Sequence, residues 1–275
     1  MTTLLVNASK QDGVMVLELR NPPANTYSYE MMRELDAHVL DARMDESVHV
    51  IVLTGARPAP AEAGKKPAPE FFCAGADIKM LEGANPYFKY NFCLHANETL
   101  CRLEQTAKLV IAAINGHCVG GGLEIALACD LRIARAGAGK VGLPEVALGV
   151  LPGTGGTQRL ARALGRSKAI ELMAEGVTFS VEEAKALGLV NSVVDCGADE
   201  FRGKALEYAR RFVPPAKASR AVGFIKRAVT TGLEVGLEQG LALERELQQR
   251  LFEGADAKEG IAAYNARRPP AFSGK

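Results

Sequence analysis

The chain of 275 residues carries 33 lysine and arginine residues against 32 aspartate and glutamate residues, and 48% of its residues are hydrophobic. The resulting formal net charge of +1 gives no reason to expect a nucleic-acid partner or an acidic membrane surface. No apolar run reaches the roughly 20 residues that cross a bilayer, and the first ten residues lack the basic and apolar regions of a secretory signal.

The six cysteines form no CxxC pair and no zinc-like cluster with the four histidines. Free cysteines of this kind are typical of buried, reduced thiols. We therefore expect a cytoplasmic protein without a metal site.

The first part of the chain predicts a strand, a helix and a second strand. Residues 13–20 and 48–55 are apolar, β-branched and bounded by turn signals. Between them, residues 28–45 have a helical apolar period with Ser28 as N-cap. This order suggests that the two strands pair in parallel. Residues 56–70, rich in proline, alanine and glycine, predict a surface loop.

Strand-like and helix-like segments alternate through the middle of the chain. The segment EFFCAGADIKML changes from strand to helix around Gly75, and the Pro/Gly-rich loop within 141–165 leads to a helix with its N-cap near Thr154 or Thr157. The other elements expected here are a helix over 91–106, strands over 108–117 and 130–135, and a helix, a glycine stop and a strand within 181–195.

From about residue 199 the sequence is helix-periodic almost throughout. The composition therefore predicts an α/β core over residues 1–198, followed by a helical unit over residues 199–275. No repeat with a period of 20–50 residues is present.

A glycine run, Gly120–Gly122, stands directly before an apolar helix-like segment that contains Glu124. Neither this run nor the cluster GTGGT over residues 153–157 matches the P-loop pattern GxxxxGK[ST] or the dinucleotide pattern GxGxxG with a following acidic residue. Nucleotide hydrolysis and hydride transfer are therefore disfavoured.

Glycines at a helix start allow backbone N–H groups to come close to a ligand oxygen, and the helix dipole favours negative charge there. The chain has two such junctions, at Gly75–Ala76 and at Gly120–Gly122. One N–H group from each junction could meet at a single oxygen atom, which is how an oxyanion hole is built.

Three motifs, FFCAGADIKM, AAINGHCVGGGLEIALACDLRIA and GLPEVALGVLPGTGGTQRLARALG, together resemble the crotonase superfamily and, within it, the enoyl-CoA hydratases. The resemblance covers nearly the whole chain. It implies a spiral of repeated β-β-α units with a C-terminal α-helical trimerisation domain, and a trimer or a dimer of trimers. It also implies an acyl-CoA thioester substrate, with coenzyme A as part of the substrate and no separate cofactor.

The resemblance assigns the backbone N–H groups of Ala76 and Gly121 to the oxyanion hole, and the catalytic carboxylates to Glu124 and Glu145. Asp77 is either a helix N-cap or a residue that reaches the site. Phe272 would reach the CoA site of a neighbouring subunit. The full set of residues expected to bind CoA is Cys73, Ala74, Gly75, Asp77, Ile78, Lys79, Pro144, Gly153 and Phe272.

The sequence departs from the pattern of the hydratases at three points. Pro23 stands where the family often has a lysine that faces a CoA phosphate. The segment 56–70 is about ten residues longer than usual, and its Lys65 or Lys66 either replaces the lost charge or is simply solvated. The spacing from Glu124 to Glu145 is one residue longer than expected, and the turn RAGAGK can absorb the extra residue.

The residue types fit the addition of water to a 2-enoyl thioester. Two N–H donors would stabilise charge on the carbonyl oxygen, and losing one such donor typically costs about 3–4 kcal/mol. Glu124 would activate the water and Glu145 would deliver the α-proton, giving a 3-hydroxyacyl-CoA as in fatty-acid β-oxidation. The alternatives are an enoyl-CoA isomerase that uses Glu145 alone, a hydratase for branched or cyclic acyl groups, and a non-catalytic CoA- or RNA-binding member of the fold.

Overall fold

Two β-sheets organise the residues that the computed structural model describes, 4–59 and 66–275. The larger sheet has the strand order β1 (Val6–Gln11), β2 (Val14–Leu19), β3 (Val50–Gly55), β5 (Leu109–Ile114), β7 (Leu131–Arg135), β10 (Ser192–Val194). The smaller sheet has the order β4 (Phe71–Cys73), β6 (His117–Val119), β8 (Lys140–Gly142), β9 (Thr178–Ser180). Among the strands described, only the pairs β1–β2 and β8–β9 are antiparallel, so both sheets are mainly parallel.

The helices lie between and around these strands. They are α1 (Tyr29–Met44), α2 (Ile78–Gly83), α3 (Pro86–Gln105), α4 (Gly121–Leu127), α5 (Gly156–Leu164), α6 (Arg166–Glu175), α7 (Val181–Ala186), α8 (Ala198–Arg210), α9 (Ser219–Gly232), α10 (Leu237–Glu253) and α11 (Ala255–Asn265), with a 3₁₀ turn at Glu145–Leu148. None of the helices described is both long and apolar enough to span a membrane.

Three successive units have the same order of elements. In each, one strand joins the larger sheet, the next joins the smaller sheet, and a helix follows. The units are β3–β4–α2 with α3, β5–β6–α4, and β7–β8 with the 3₁₀ turn and α5. This is the expected β-β-α spiral, and it places the ends of β4, β6 and β8 side by side.

The larger sheet is buried on both faces, because side chains alternate along each strand. On β3, Ile51 and Leu53 join the hydrophobic core on the α1 side, whereas Val50 and Val52 pack with Phe201 of α8. Helix α8 therefore covers the sheet, although it begins at the boundary expected between residues 198 and 199. The division into two domains stays a prediction.

Several expected elements are confirmed by the structure. Strands β2 and β3 pair in parallel. Helix α1 begins after Ser28, whose hydroxyl accepts a hydrogen bond from the Met31 N–H at 3.3 Å. The four C-terminal helices also lie where the helical period of the sequence predicts them.

One helix cap and one helix start were predicted wrongly. Helix α5 begins at Gly156 after Gly155 and has no side-chain cap, because the Thr154 hydroxyl is hydrogen-bonded elsewhere. Helix α3 begins at Pro86, five residues before the predicted start, because the Asn85 side chain accepts a hydrogen bond from the Phe88 N–H and caps it. The short strands of the smaller sheet were not predicted beyond β4, since three residues carry too little periodicity.

A buried ion pair joins the C-terminal helices to the core. The Lys226 ammonium group of α9 lies 2.9 Å from a carboxylate oxygen of Asp130 and donates to the carbonyl oxygens of Leu103 and Lys108. Asp130 also accepts a hydrogen bond from the Val110 N–H at 2.7 Å. Because the Lys226 side chain is only 4% exposed, its charge depends on these partners.

Lys226→Ala is expected to lower the free energy of unfolding by on the order of 3–5 kcal/mol, because it leaves the Asp130 carboxylate buried without its cation. Urea denaturation measures this change. The control is Lys217→Ala, which removes an exposed lysine before the same helix. Equal unfolding midpoints for the two variants would contradict the role of the ion pair.

Candidate active site

The turn after β4 exposes one backbone N–H group. The Tyr27 N–H donates to the Gly75 carbonyl, and the Asp77 N–H donates to the Tyr27 carbonyl, both at 2.9 Å. These bonds form a parallel bridge between Tyr27 and Ala76. Among residues 4–59 and 66–275, no atom accepts a hydrogen bond from the Ala76 N–H itself. This N–H is therefore available to a ligand.

The second glycine junction packs tightly on the first. A Cβ atom on Gly122 would lie 2.0 Å from the Cys73 carbonyl oxygen, so no larger residue fits there. A Cβ atom on Gly75 would lie 3.2 Å from the Gly121 nitrogen. The Gly121 N–H is in the first turn of α4 and, within the part of the chain described, also has no acceptor. The two free N–H groups thus come from adjoining turns.

Glu124 is held one turn into α4, with only 2% of the residue exposed. Its Oε1 atom accepts hydrogen bonds from the Thr154 N–H at 2.8 Å and the Gly156 N–H at 2.7 Å. Burial and, to a smaller extent, the nearby Glu145 carboxylate raise the pKa of Glu124 to about 7, although the two N–H donors act to lower it. Both protonation states are therefore accessible near neutral pH.

Glu145 is the first residue of the 3₁₀ turn after β8, and burial raises its pKa as well. Its Oε1 atom lies 3.1 Å from where a Cβ atom on Gly120 would be. Its Oε2 atom is buried and has no hydrogen-bond partner among the residues described. The structure thus brings Glu124 and Glu145 to the Gly120–Gly121 turn.

The other residues expected at the site fall into two groups. Cys73, Ala74 and Gly75 form the turn that adjoins Gly121, but burial raises the pKa of the Cys73 thiol to about 12, so its side chain is not a nucleophile. The Asp77 side chain is the N-cap of α2, since it accepts hydrogen bonds from the N–H groups of Lys79 and Met80.

Further from the carboxylates, the side chains of Ile78 and Lys79 are exposed on α2. Pro144 directly precedes Glu145, and the Gly153 carbonyl accepts a hydrogen bond from Asn97 of α3 at 3.2 Å. Binding of CoA by these residues stays a prediction.

Phe272 packs against Gly260 of α11, 3.3 Å from where a Cβ atom would be. Its expected contact with a neighbouring subunit stays a prediction. Of the two lysines in the 56–70 segment, Lys66 is exposed and Lys65 lies outside the described residues.

Three contributors to the site were missed in the sequence. The N–H groups of Thr154 and Gly156, in the second glycine cluster, bind the carboxylate of Glu124. Tyr27 lies against both glycine junctions. The cluster GTGGT was a usable signal for exposed N–H groups, but nothing local pairs residue 27 with residues 76, 121 or 154. Within the described ranges, no three His, Cys, Asp or Glu side chains are grouped as metal ligands.

The chain is similar to known proteins over nearly its whole length. The family model described as enoyl-CoA hydratase/isomerase matches residues 9–275. The short-chain-enoyl-CoA hydratase of Clostridium acetobutylicum is 36% identical over 260 residues, covering 94% of each chain. The mitochondrial methylglutaconyl-CoA hydratase of Mus musculus is 35% identical over 266 residues, covering 96% of this chain and 80% of its own.

Among solved structures, "Enoyl-CoA hydrates" from Geobacillus kaustophilus HTA426 superimposes with a TM-score of 0.91 at 41% identity. The match covers 100% of this chain and 98% of the other. An enoyl-CoA hydratase from Bacillus anthracis gives a TM-score of 0.86 at 33% identity, over 99% and 100% of the two chains.

The raised pKa of Glu124 predicts a specific pH dependence of stability. In the folded protein this carboxyl group ionises near pH 7, against an ordinary value of 4.5, so the folded state binds more protons between these values. Its contribution to the free energy of unfolding therefore falls as the pH rises through this window. Glu124→Gln abolishes this loss, and the variant should gain on the order of 3 kcal/mol relative to wild type between pH 4.5 and about pH 8.

Urea denaturation across this pH range measures the difference. Glu98→Gln, which changes an exposed glutamate of α3, is the control. A constant difference between wild type and Glu124→Gln at all pH values would show that Glu124 ionises normally in the folded state.

Proposed function

Because the chain belongs to the enoyl-CoA hydratase/isomerase family, we propose that it adds water reversibly across the 2,3 double bond of a 2-enoyl-CoA to give a 3-hydroxyacyl-CoA. The observation that carries this proposal is the grouping of two carboxyl groups of raised pKa with two free backbone N–H groups. The names of both relatives, which describe hydratases, support the same reaction.

The two N–H groups are suited to the thioester carbonyl. As a nucleophile adds to the β-carbon, negative charge grows on the carbonyl oxygen. The N–H groups of Ala76 and Gly121 would donate to this oxygen, and they need no reorganisation because their backbone is already fixed by tight packing. We propose that they form the oxyanion hole.

The two glutamates would divide the proton transfers. Glu124, as carboxylate, takes a proton from water while the water oxygen bonds to the β-carbon. Its Oε1 atom is already held by the N–H groups of Thr154 and Gly156, which leaves Oε2 for the water. Glu145, as the acid, gives a proton to the α-carbon. The pair returns to its starting state when the proton gained by Glu124 passes to Glu145, directly or through solvent.

Isomerisation of a double bond is the second candidate. It requires one carboxyl group that moves a proton between two carbons, and Glu145, with its buried and unpartnered Oε2 atom, could act alone. The two N–H bonds to Glu124 favour hydration, because they orient a second carboxylate that isomerisation does not need. The relatives' names include both short-chain and methylglutaconyl substrates, so linear and branched acyl groups are both candidates.

Both glutamate variants are expected to lose activity on crotonyl-CoA. The wild type should convert crotonyl-CoA to 3-hydroxybutyryl-CoA, which is measured as a loss of the enoyl-thioester absorbance. Glu124→Gln and Glu145→Gln should each lower kcat by roughly 10²–10⁴-fold, the usual contribution of a general acid or base. Glu98→Gln, the exposed glutamate of α3, should retain wild-type activity.

An inactive wild type at high enzyme concentration would refute hydration of short-chain substrates. Methylglutaconyl-CoA and 3-enoyl-CoA would then separate a hydratase for branched substrates from an isomerase. Absence of turnover with all three, together with retained CoA binding, would favour a non-catalytic member of the fold.

We also propose that the chain self-associates through its C-terminal helices, as a trimer or a dimer of trimers. Large apolar side chains are exposed along α9, α10 and the turn between them, and an exposed apolar patch of this kind usually marks an interface. The residues are Ile225, Val229, Leu233, Val235, Leu237 and Leu241.

A reducing compartment such as the cytoplasm fits the six free cysteines.

Leu237→Glu is expected to shift the protein toward the monomer, because it places a charge on the side chain that is most exposed in this patch, at 79%. Sedimentation velocity measures the change. Met44→Glu is the matched control, since Met44 is equally exposed, at 80%, but lies on α1. A wild type that is already monomeric would contradict self-association, and equal behaviour of the two variants would exclude this patch.

A further inference from the structure

Tyr27 contacts both residues of the proposed oxyanion hole and is linked to Glu124 through Thr154, although it donates no proton in the proposed reaction. Its backbone bridges Ala76, which fixes the turn that carries the first free N–H. A Cβ atom on Gly121 would lie 2.4 Å from the Tyr27 ring, so the ring packs directly against the residue that carries the second free N–H. Tyr27 is 2% exposed.

The Tyr27 hydroxyl extends this contact to Glu124. It shares a buried hydrogen bond of 2.9 Å with the Thr154 hydroxyl. The backbone N–H of Thr154 is one of the two donors to Glu124 Oε1. The Tyr27 hydroxyl is thus hydrogen-bonded to a residue that binds the carboxylate, whereas the Tyr27 ring packs against Gly121.

We propose that Tyr27 is a positioning residue that sets the orientation of the Glu124 carboxylate through Thr154. The alternative is that Tyr27 only fills the core, because its ring also stacks on Phe92 with centroids 5.6 Å apart. A core role needs the ring alone, whereas positioning needs the hydroxyl. Tyr27→Phe separates the two, because it keeps the ring and removes only the oxygen.

Removal of the hydroxyl has a predictable direction. Without its partner, Thr154 is held less firmly, and its N–H stabilises the Glu124 carboxylate less well. The pKa of Glu124 then rises, because the bond from Thr154 lowers it in the wild type. Less of the enzyme has an ionised base at neutral pH, and the lost activity returns as the pH increases. Asn97 still donates to the Gly153 carbonyl and Arg159 to the Thr154 carbonyl, so the loop keeps these two attachments. The charges near Glu124, those of Glu145 and Arg159, are also unchanged.

The kinetic readout of this inference rests on the proposed hydratase function. Tyr27→Phe is expected to lower kcat by roughly tenfold at neutral pH with KM nearly unchanged, the effect of one buried hydrogen bond. The acid limb of the pH profile should move to higher pH. Thr154→Val should do the same, Thr154→Ser should retain activity, and the double variant Tyr27→Phe/Thr154→Val should lose no more than either single variant.

Tyr29→Phe is the matched control. It removes the same atom from a partly buried tyrosine two residues away, whose ring contacts Phe88 and His95. Within the described part of the chain, its hydroxyl has no hydrogen bond. This variant should match wild type in kcat and pH profile.

A second readout does not need turnover. The ionisation of Glu124 can be followed by ¹³C NMR of labelled glutamate carboxyl groups, with Glu124→Gln to assign the signal. Tyr27→Phe should raise the midpoint of this titration, and Tyr29→Phe should leave it unchanged. If the wild type hydrates no acyl-CoA but the midpoint still rises, the proposed function fails and the positioning role stands.

The proposal is overturned if Tyr27→Phe matches Tyr29→Phe in the pH profile and in the titration of Glu124. It is also overturned if Tyr27→Phe only lowers the unfolding midpoint while kcat and the Glu124 titration stay at wild-type values. That result would assign Tyr27 to the core.

Discussion

The burial of the Glu124 carboxylate is the constraint on which the rest of the site depends. A carboxylate with 2% exposure is unfavourable unless donors surround it. Two N–H groups at the start of α5 supply those donors, so the loop before α5 must lie against α4. The donors do not cancel the effect of burial, and the group retains a pKa of about 7. A glutamate exposed to water is fully ionised at neutral pH, whereas the buried Glu124 can gain and lose a proton there.

The same requirement for close contact explains the glycines. The turn after β4 and the start of α4 touch because β4 and β6 are neighbours in the smaller sheet. A side chain on Gly122 would collide with the Cys73 carbonyl, and one on Gly121 would collide with the Tyr27 ring. The turns that follow neighbouring strands of the smaller sheet therefore lie side by side. The N–H donors belong to the backbone, which every residue has, and only this packing orients them toward one position.

Local patterns predicted the longer elements well. Helix α1, its Ser28 cap and the parallel pair β2–β3 follow from the apolar period and from turn signals that lie within a few residues. The cap of α5 was predicted wrongly for a physical reason. Thr154 has the right side chain for an N-cap, but its hydroxyl bonds to Tyr27, which is 127 positions away in the chain. A tertiary partner therefore overrode the local preference.

The sequence by itself determined the two glycine junctions and the presence of Glu124 three residues after Gly121, because these depend on short spacings along one helix or turn, and its resemblance to the crotonase superfamily implied the fold class. Only the tertiary structure decided which N–H groups are free, which donors hold Glu124 and how far burial raises its pKa. These properties depend on contacts between Tyr27, Ala76, Gly121 and Thr154. Such contacts arise from the pairing of strands that are distant in sequence, and no periodicity in the chain records them.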